Sequence, residues 1–304
     1  MYDIDSWNDD ALLTKYLAGQ LIKGRLALFL GAGISKDFIG VTWPELVQRI
    51  LEAKGETFNP GTSFERQIAR LRTAHFASDT EGYLNLVRDE LYRTFDLDVS
   101  FEKLRTHKTL GALGALVMAS KRGGVSKVVT LNYDDLLEVY LEFHGFVTAS
   151  VHQELHWQHP ADVVIYHPHG FLPSRTRLPK SDDIVLDQIS YGKIIGKDGS
   201  PWRQVIMSTI RTHTCLFIGL SGEDMNFVSL LEDANKTHAI RSGSEDALFW
   251  GLTATTSKDP GDLDLWKAQG VYPKLVADFT DDLPAFLFRI CQQAANLRLE
   301  QMGI

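Results

Sequence analysis

The amino-acid sequence predicts an α/β protein, a mostly parallel sheet with a helical subdomain inserted into it. Three observations carry that prediction. Short unalternating apolar runs, as in strands buried on both faces, recur from Leu26 to Val276. Between them lie amphipathic segments with helical spacing, the alternation that builds parallel sheets. From residue 43 to residue 122 this alternation gives way to helical patterns alone.

The elements follow in chain order. Leu12, Leu13, Tyr16, Leu17 and Leu21 recur at helical spacing and predict a helix over 9–23. Leu26 to Leu30, bounded by Gly24 and Gly31, is a buried strand feeding the turn Gly31-Ala32-Gly33-Ile34-Ser35. In the helical insert, Thr42 and Glu45 have capping-box spacing, with Pro44 tolerated in the first turn and Leu46, Val47, Ile50 and Leu51 forming the apolar face. Further stripes at Phe64/Ile68/Leu71, Leu84/Val87/Leu91 and Leu110/Leu113/Leu116 predict three more helices. Strands are expected at 128–131, 163–166 and 215–218, helices at 134–143 and 202–210, late strands at 247–250 and 274–276, and a closing helix over 283–297; Ile184 to Leu186 is ambiguous. The domain division that results is 1–42 with 123–304 as the nucleotide-binding fold and 43–122 as the insert.

Composition narrows the function. Lys and Arg number 31 against 39 Asp and Glu, a net charge of −8 that argues against nucleic-acid or membrane-surface binding, where concentrated positive charge is needed. Two cysteines, Cys215 and Cys291, make neither a disulfide framework nor a four-thiolate zinc site. No basic leader opens the chain and no run of about 18 apolar residues interrupts it, so a cytoplasmic location is expected.

Parallel sheets bind ligands beyond the carboxyl ends of their strands, so the polar residues at those ends are the informative ones. Four such junctions stand out. Gly31 to Ser35 places two glycines where a backbone can turn and approach a diphosphate. Position 36 is Lys, so the third glycine of a dinucleotide fingerprint is missing. Thr130-Leu131-Asn132-Tyr133-Asp134 ends a strand in an amide and a carboxylate; Asp134 also suits a helix cap. His169-Gly170 sets an imidazole after a buried strand, and Gly219-Leu220-Ser221-Gly222-Glu223-Asp224 combines glycine, hydroxyl and carboxylate.

Taken together and in this order, the four junctions resemble the sirtuin family, whose patterns are GAGxS, TxNxD, a histidine-glycine pair and GxSxxD. The resemblance runs over about residues 26–280 and implies a Rossmann-like NAD-binding fold. It departs from the protein deacylases in lacking their paired CxxC zinc module and the proline-aspartate-phenylalanine-arginine run; Gly40 to Glu45 stands at that place. The chain thus looks like the zinc-free bacterial branch associated with antiphage defence. The resemblance implies an NAD glycohydrolase with no zinc. Asn132 and His169 would be catalytic; Gly31, Ala32, Gly33, Ser35, Thr130, Asp134, Gly219, Ser221 and Asp224 would contact NAD. An uncontrolled NADase would be toxic, so control by homo-oligomerisation or a protein partner is expected, and the resemblance suggests a partner such as a ring-forming ATPase.

The chemistry is consistent. Expelling neutral nicotinamide from a cationic pyridinium needs no general acid, only a positioned water, a setting for oxocarbenium-like charge and a base. Asn132 suits the first task, and a histidine such as His169 the last. Other readings are an NAD-dependent deacylase or ADP-ribosyltransferase, and a non-catalytic NAD or ADP-ribose sensor. Two decoys fail on residue type: His152-Gln153-Glu154-Leu155-His156 has Gln where a zinc protease needs its base, and Gly219 to Glu223 is one glycine short of a hydrolase elbow. Cys215, in an apolar strand, reads as a packed thiol, and Arg175, Arg177 and Lys180 as a solvated basic patch.

Overall fold

The computed structural model describes residues 7–118, 123–152, 160–175, 184–187, 190, 192, 195–196, 200–220, 225–242 and 249–303. Asp9 caps the first helix, α1 (Asp10–Ile22), by accepting from the amides of Ala11 and Leu12. Strand β1 (Leu26–Leu30) ends in a 3-10 turn (Ala32–Ile34) and the short helix α2 (Lys36–Ile39). Five helices follow: α3 (Trp43–Glu52), α4 (Phe64–His75), α5 (Thr80–Leu91), α6 (Leu97–Arg105) and α7 (Lys108–Val117). The expected capping box on α3 is formed, with the Thr42 amide donating to Glu45 Oε2 at 2.7 Å.

Alternation then resumes with β2 (Lys127–Thr130), α8 (Leu136–Phe143), β3 (Thr148–Val151) and β4 (Val163–Tyr166). The remainder is α9 (Pro201–Thr212), β5 (Thr214–Ile218), α10 (Met225–Ser242), β6 (Gly251–Thr255), α11 (Pro260–Ala268), β7 (Val271–Leu275) and α12 (Asp282–Met302). All seven strands are parallel, in the order β3-β4-β2-β1-β5-β6-β7. The fold is α/β and Rossmann-like.

Both faces of the sheet are covered, which explains the continuous apolar runs. Within β1, Leu26, Leu28 and Leu30 face a core shared with α1, α7, α8 and α12, while Ala27 and Phe29 face one shared with α9 and α10. On the second face Phe29, Phe217 and Phe227 meet at centroid distances of 5.2 to 5.9 Å, an aromatic cluster whose truncation to Ala costs about 3–5 kcal/mol per ring. Helices α3, α4 and α5 add Val47, Ile50, Ile68, Leu71 and Val87 to the first core. Among the described residues no helix is long and apolar enough to cross a membrane.

Differences from the sequence expectation are local. Strand β3 and helices α2, α6, α10 and α11 were not expected, and α8 starts two residues later than the expected Asp134. The sixth strand begins at Gly251 rather than 247; Trp250 belongs to the same ladder, since its carbonyl accepts from Cys215 N at 2.9 Å. Ala247 and Leu248 lie outside the described residues. Strand β7 is centred on Pro273, three residues before the expected run ends; a proline without an amide is tolerated there because β7 is an edge strand. Ile184 to Leu186 forms no strand.

Candidate active site

The sheet order decides where the four junctions lie. They follow β1, β2, β4 and β5, which are the four contiguous strands β4-β2-β1-β5. Because all strands are parallel, the four turns emerge side by side at one edge. The chain lays β2, β3 and β4 on one side of β1 and then crosses to β5 on the other, so the crevice between the β1 and β5 turns is the topological switch point.

The first and fourth turns are packed backbone to backbone. Gly31 N donates to Ile218 O and Gly33 N to Gly219 O, both at 2.9 Å. A Cβ on Gly31 would stand 2.5 Å from Gly219 O, and one on Gly33 would stand 2.8 Å from Gly219 Cα. Gly219 itself has φ +72°, and a Cβ there would lie 2.8 Å from Ile34 N. The glycines thus let two turns share one volume, and the amides of Gly31 and Gly33 are satisfied inside the protein. Ala32, Gly33 and Gly219 remain exposed at the rim, above a buried Ser35. Ser221 and Asp224 lie outside the described residues, as do Gln153 to His156, Arg177 and Lys180.

Beneath that rim Ser35 joins the first turn to the second. Its Oγ accepts from Asn132 Nδ2 at 3.1 Å, and its hydroxyl also bonds the Asp134 carboxylate. Asn132 is further held by its own amide, which donates to Thr130 Oγ1 at 3.2 Å. Asp134 accepts from the Leu136 amide at 3.2 Å, a cap-like contact at the entry to α8. It is buried, and desolvation pushes its carboxyl up to about 6, against the opposing pull of the Ser35 hydroxyl and the Leu136 amide. Asp135, next in sequence, is also raised by burial and accepts from Ser174 N at 3.0 Å.

Leu30, Ile34, Ser35, Thr130, Asn132, Asp134, Leu137 and Glu138 line one crevice, with room for about a single water. Four of the expected site residues, Ser35, Thr130, Asn132 and Asp134, therefore converge. His169 stands outside this crevice, on the turn after β4, where Gly170 has φ +102° and Gly170 N donates to His167 O at 3.0 Å. That turn is tied to the second one by Leu172 N donating to Tyr133 O at 2.7 Å, and through Val185, whose carbonyl accepts from Tyr133 OH at 2.7 Å and whose amide donates to His169 O at 2.8 Å.

Two residues were missed. Glu138 lines the crevice, and fully buried His167 bonds it, Nε2 to Oε1, at 2.6 Å. The signal for Glu138 was present: Leu136 to Leu141 is apolar at every other position, and an acid inside an all-round apolar helix is buried and needs a partner.

Residues 126–273 match the family described as SIR2-like domain. The matched stretch runs from the start of β2 into β7 and contains three of the four junctions; Gly31 to Ser35 precedes it and joins it through β1. The chain is also similar to NAD(+) hydrolase ThsA of Enterococcus faecium, 23% identical over 230 residues, covering 74% of this chain and 43% of that protein. The chain spans less than half the length of that curated relative.

Proposed function

We propose that this protein is an NAD glycohydrolase, cleaving the nicotinamide–ribose bond to release nicotinamide and ADP-ribose. The observation that carries the reading is the convergence of Ser35, Thr130, Asn132 and Asp134 between the β1 and β2 turns, beside the switch point of a parallel sheet that matches the SIR2-like family model. The similarity to an NAD(+) hydrolase supports it.

In this reading NAD is the substrate, its pyrophosphate against the exposed rim at Ala32, Gly33 and Gly219 and its nicotinamide riboside over the Ser35–Asn132–Asp134 cluster. Asn132, fixed by Ser35 and Thr130, places its amide on the ribose or the attacking water. The Asp134 carboxylate accepts from the nicotinamide carboxamide and offsets the positive charge that develops on the ribose as the pyridine leaves. His169 is the base for a water or ribose proton, reached from the turn beside the crevice. Ser221 and Asp224 complete the NAD contacts. The biological role proposed is antiphage defence by NAD depletion in the cytoplasm. Control would rest on homo-oligomerisation or a partner such as a ring-forming ATPase.

Incubation of the purified chain with NAD and an acylated peptide tests this reading. Nicotinamide and ADP-ribose are expected in equal amounts with the peptide unchanged, and His169→Ala should lower the rate by about 100-fold or more. Peptide consumed in step with NAD, or undiminished hydrolysis by His169→Ala, contradicts it.

A further inference from the structure

The Glu138–His167 pair sits behind the cluster just described. His167 is fully buried on the turn after β4, and its Nε2 lies 2.6 Å from Glu138 Oε1 on α8. Its other nitrogen, Nδ1, lies 3.2 Å from the main-chain carbonyl of Asn132. Ser150 of β3 donates to the same Glu138 oxygen at 3.0 Å, and the Phe171 ring packs against the imidazole at a centroid distance of 4.6 Å. The imidazole thus connects three elements and reaches the crevice both through the backbone of Asn132 and through Glu138, which lines it.

Both partners of this imidazole are oxygens that accept. A carboxylate has no proton to give, and a carbonyl never has one. A neutral ring protonated on Nε2 would satisfy Glu138 and leave the Nδ1 lone pair facing the lone pairs of the Asn132 carbonyl. The contact at 3.2 Å is therefore attractive only when Nδ1 carries hydrogen. Two arrangements meet that condition, imidazolium with carboxylate or Nδ1–H imidazole with a protonated Glu138, and they hold the same number of protons.

We infer that Glu138 and His167 form a buried positioning pair for Asn132: Glu138 anchors the ring through Nε2, and Nδ1–H fixes the Asn132 carbonyl so that its side-chain amide points at the substrate. The inference rests on the NAD-hydrolase reading for its kinetic consequence, though not for its geometry. A ring no longer held by Glu138 does not fix the Asn132 backbone, which lowers the fraction of productively oriented complexes more than it lowers binding.

Glu138→Gln and Glu138→Leu separate this role from a purely structural one. A glutamine amide donates to Nε2, leaves hydrogen on Nδ1 and bonds the Ser150 hydroxyl, so the Gln variant should keep kcat within about threefold of the wild type. Leucine takes away the anchor on Nε2, so the ring can turn its Nδ1–H away from the Asn132 carbonyl, and kcat should fall about 10- to 100-fold with KM for NAD changed by no more than about twofold. Wild-type kcat in a folded Leu variant, or equal loss in both variants, overturns the inference. Nitrogen-15 NMR of the histidine side chains, with His167 assigned by its disappearance in His167→Asn, gives a readout independent of activity. A protonated Nδ1 on His167 is expected in the wild type; an unprotonated Nδ1 overturns the pair even if the chain proves not to hydrolyse NAD. Absent hydrolysis with a protonated Nδ1 instead rejects the hydrolase reading and keeps the pair.

Discussion

Ser35 is the residue on which the site turns, because one small hydroxyl serves two functional side chains. It accepts from Asn132 and bonds Asp134, so it orders the amide and lowers the cost of the buried carboxylate at once. Asp134 still carries a penalty. Its folded-state value of about 6 lies above the ordinary 3.8, so between those values the folded chain holds a proton that the unfolded chain has released. Stability is accordingly full below about pH 4, falls as pH rises toward 6, and stays reduced above it, by up to about 3 kcal/mol. Asp134→Asn should therefore raise thermal stability at pH 8 and give no gain near pH 4, while lowering hydrolysis at pH 8; melting scans at the two pH values check the stability arm. In the wild type, kcat/KM should rise through about pH 6 as the carboxylate ionises.

At the scale of elements, the paired turns after β1 and β5 are the tightest constraint. Gly219 meets Ile34 N and Gly31 O across the switch point, and its positive φ leaves no room for a side chain. Gly219→Ala should destabilise the fold by about 2–3 kcal/mol and reduce hydrolysis further, because Ile34 and Ser35 must shift. Chemical denaturation beside the NAD assay measures both. This close approach also explains why the turns could be read from sequence: backbones this close admit no Cβ, so glycines directly after apolar strands mark them. Other elements were less legible. Strand β3 is an edge strand of Thr148, Ala149, Ser150 and Val151, whose small residues lack the apolar run that marked β1 and β5. Helix α10 mixes apolar with many polar residues and shows little amphipathic pattern. Glu138 and His167 escaped for a different reason. Their importance lies in a contact between α8 and the turn after β4, 29 positions apart, and periodicity along one segment does not report it.

For the whole molecule, the helical stretch 43–122 is proposed as an insert that supports the site from above. Tyr92, just past α5, donates to Leu172 O at 2.7 Å, and Arg88 Nη2 donates to Ser174 O at 3.1 Å. Both bonds hold the chain immediately after His169-Gly170. Burial and the nearby Asp135 carboxylate push the Tyr92 phenol well above its usual range, so it remains a donor at any physiological pH. Tyr92→Phe removes that donor and should cost about 1–2 kcal/mol, with a several-fold loss in kcat/KM that a wild-type-like circular dichroism spectrum would tie to the loop rather than to unfolding. The fold class and four converging residues were thus readable from the strand-end motifs, because those motifs occupy contiguous strands. The clamp was not, since it depends on where α5 lies against the sheet.

The central claim is that the ends of β4, β2, β1 and β5 form one NAD-cleaving centre around Asn132. Nicotinamide release from saturating NAD, compared between the wild type and a folded Asn132→Ala variant, tests it most directly. The account predicts steady release by the wild type and a loss of about 100- to 1,000-fold in the variant. Equal rates in the two proteins would contradict it.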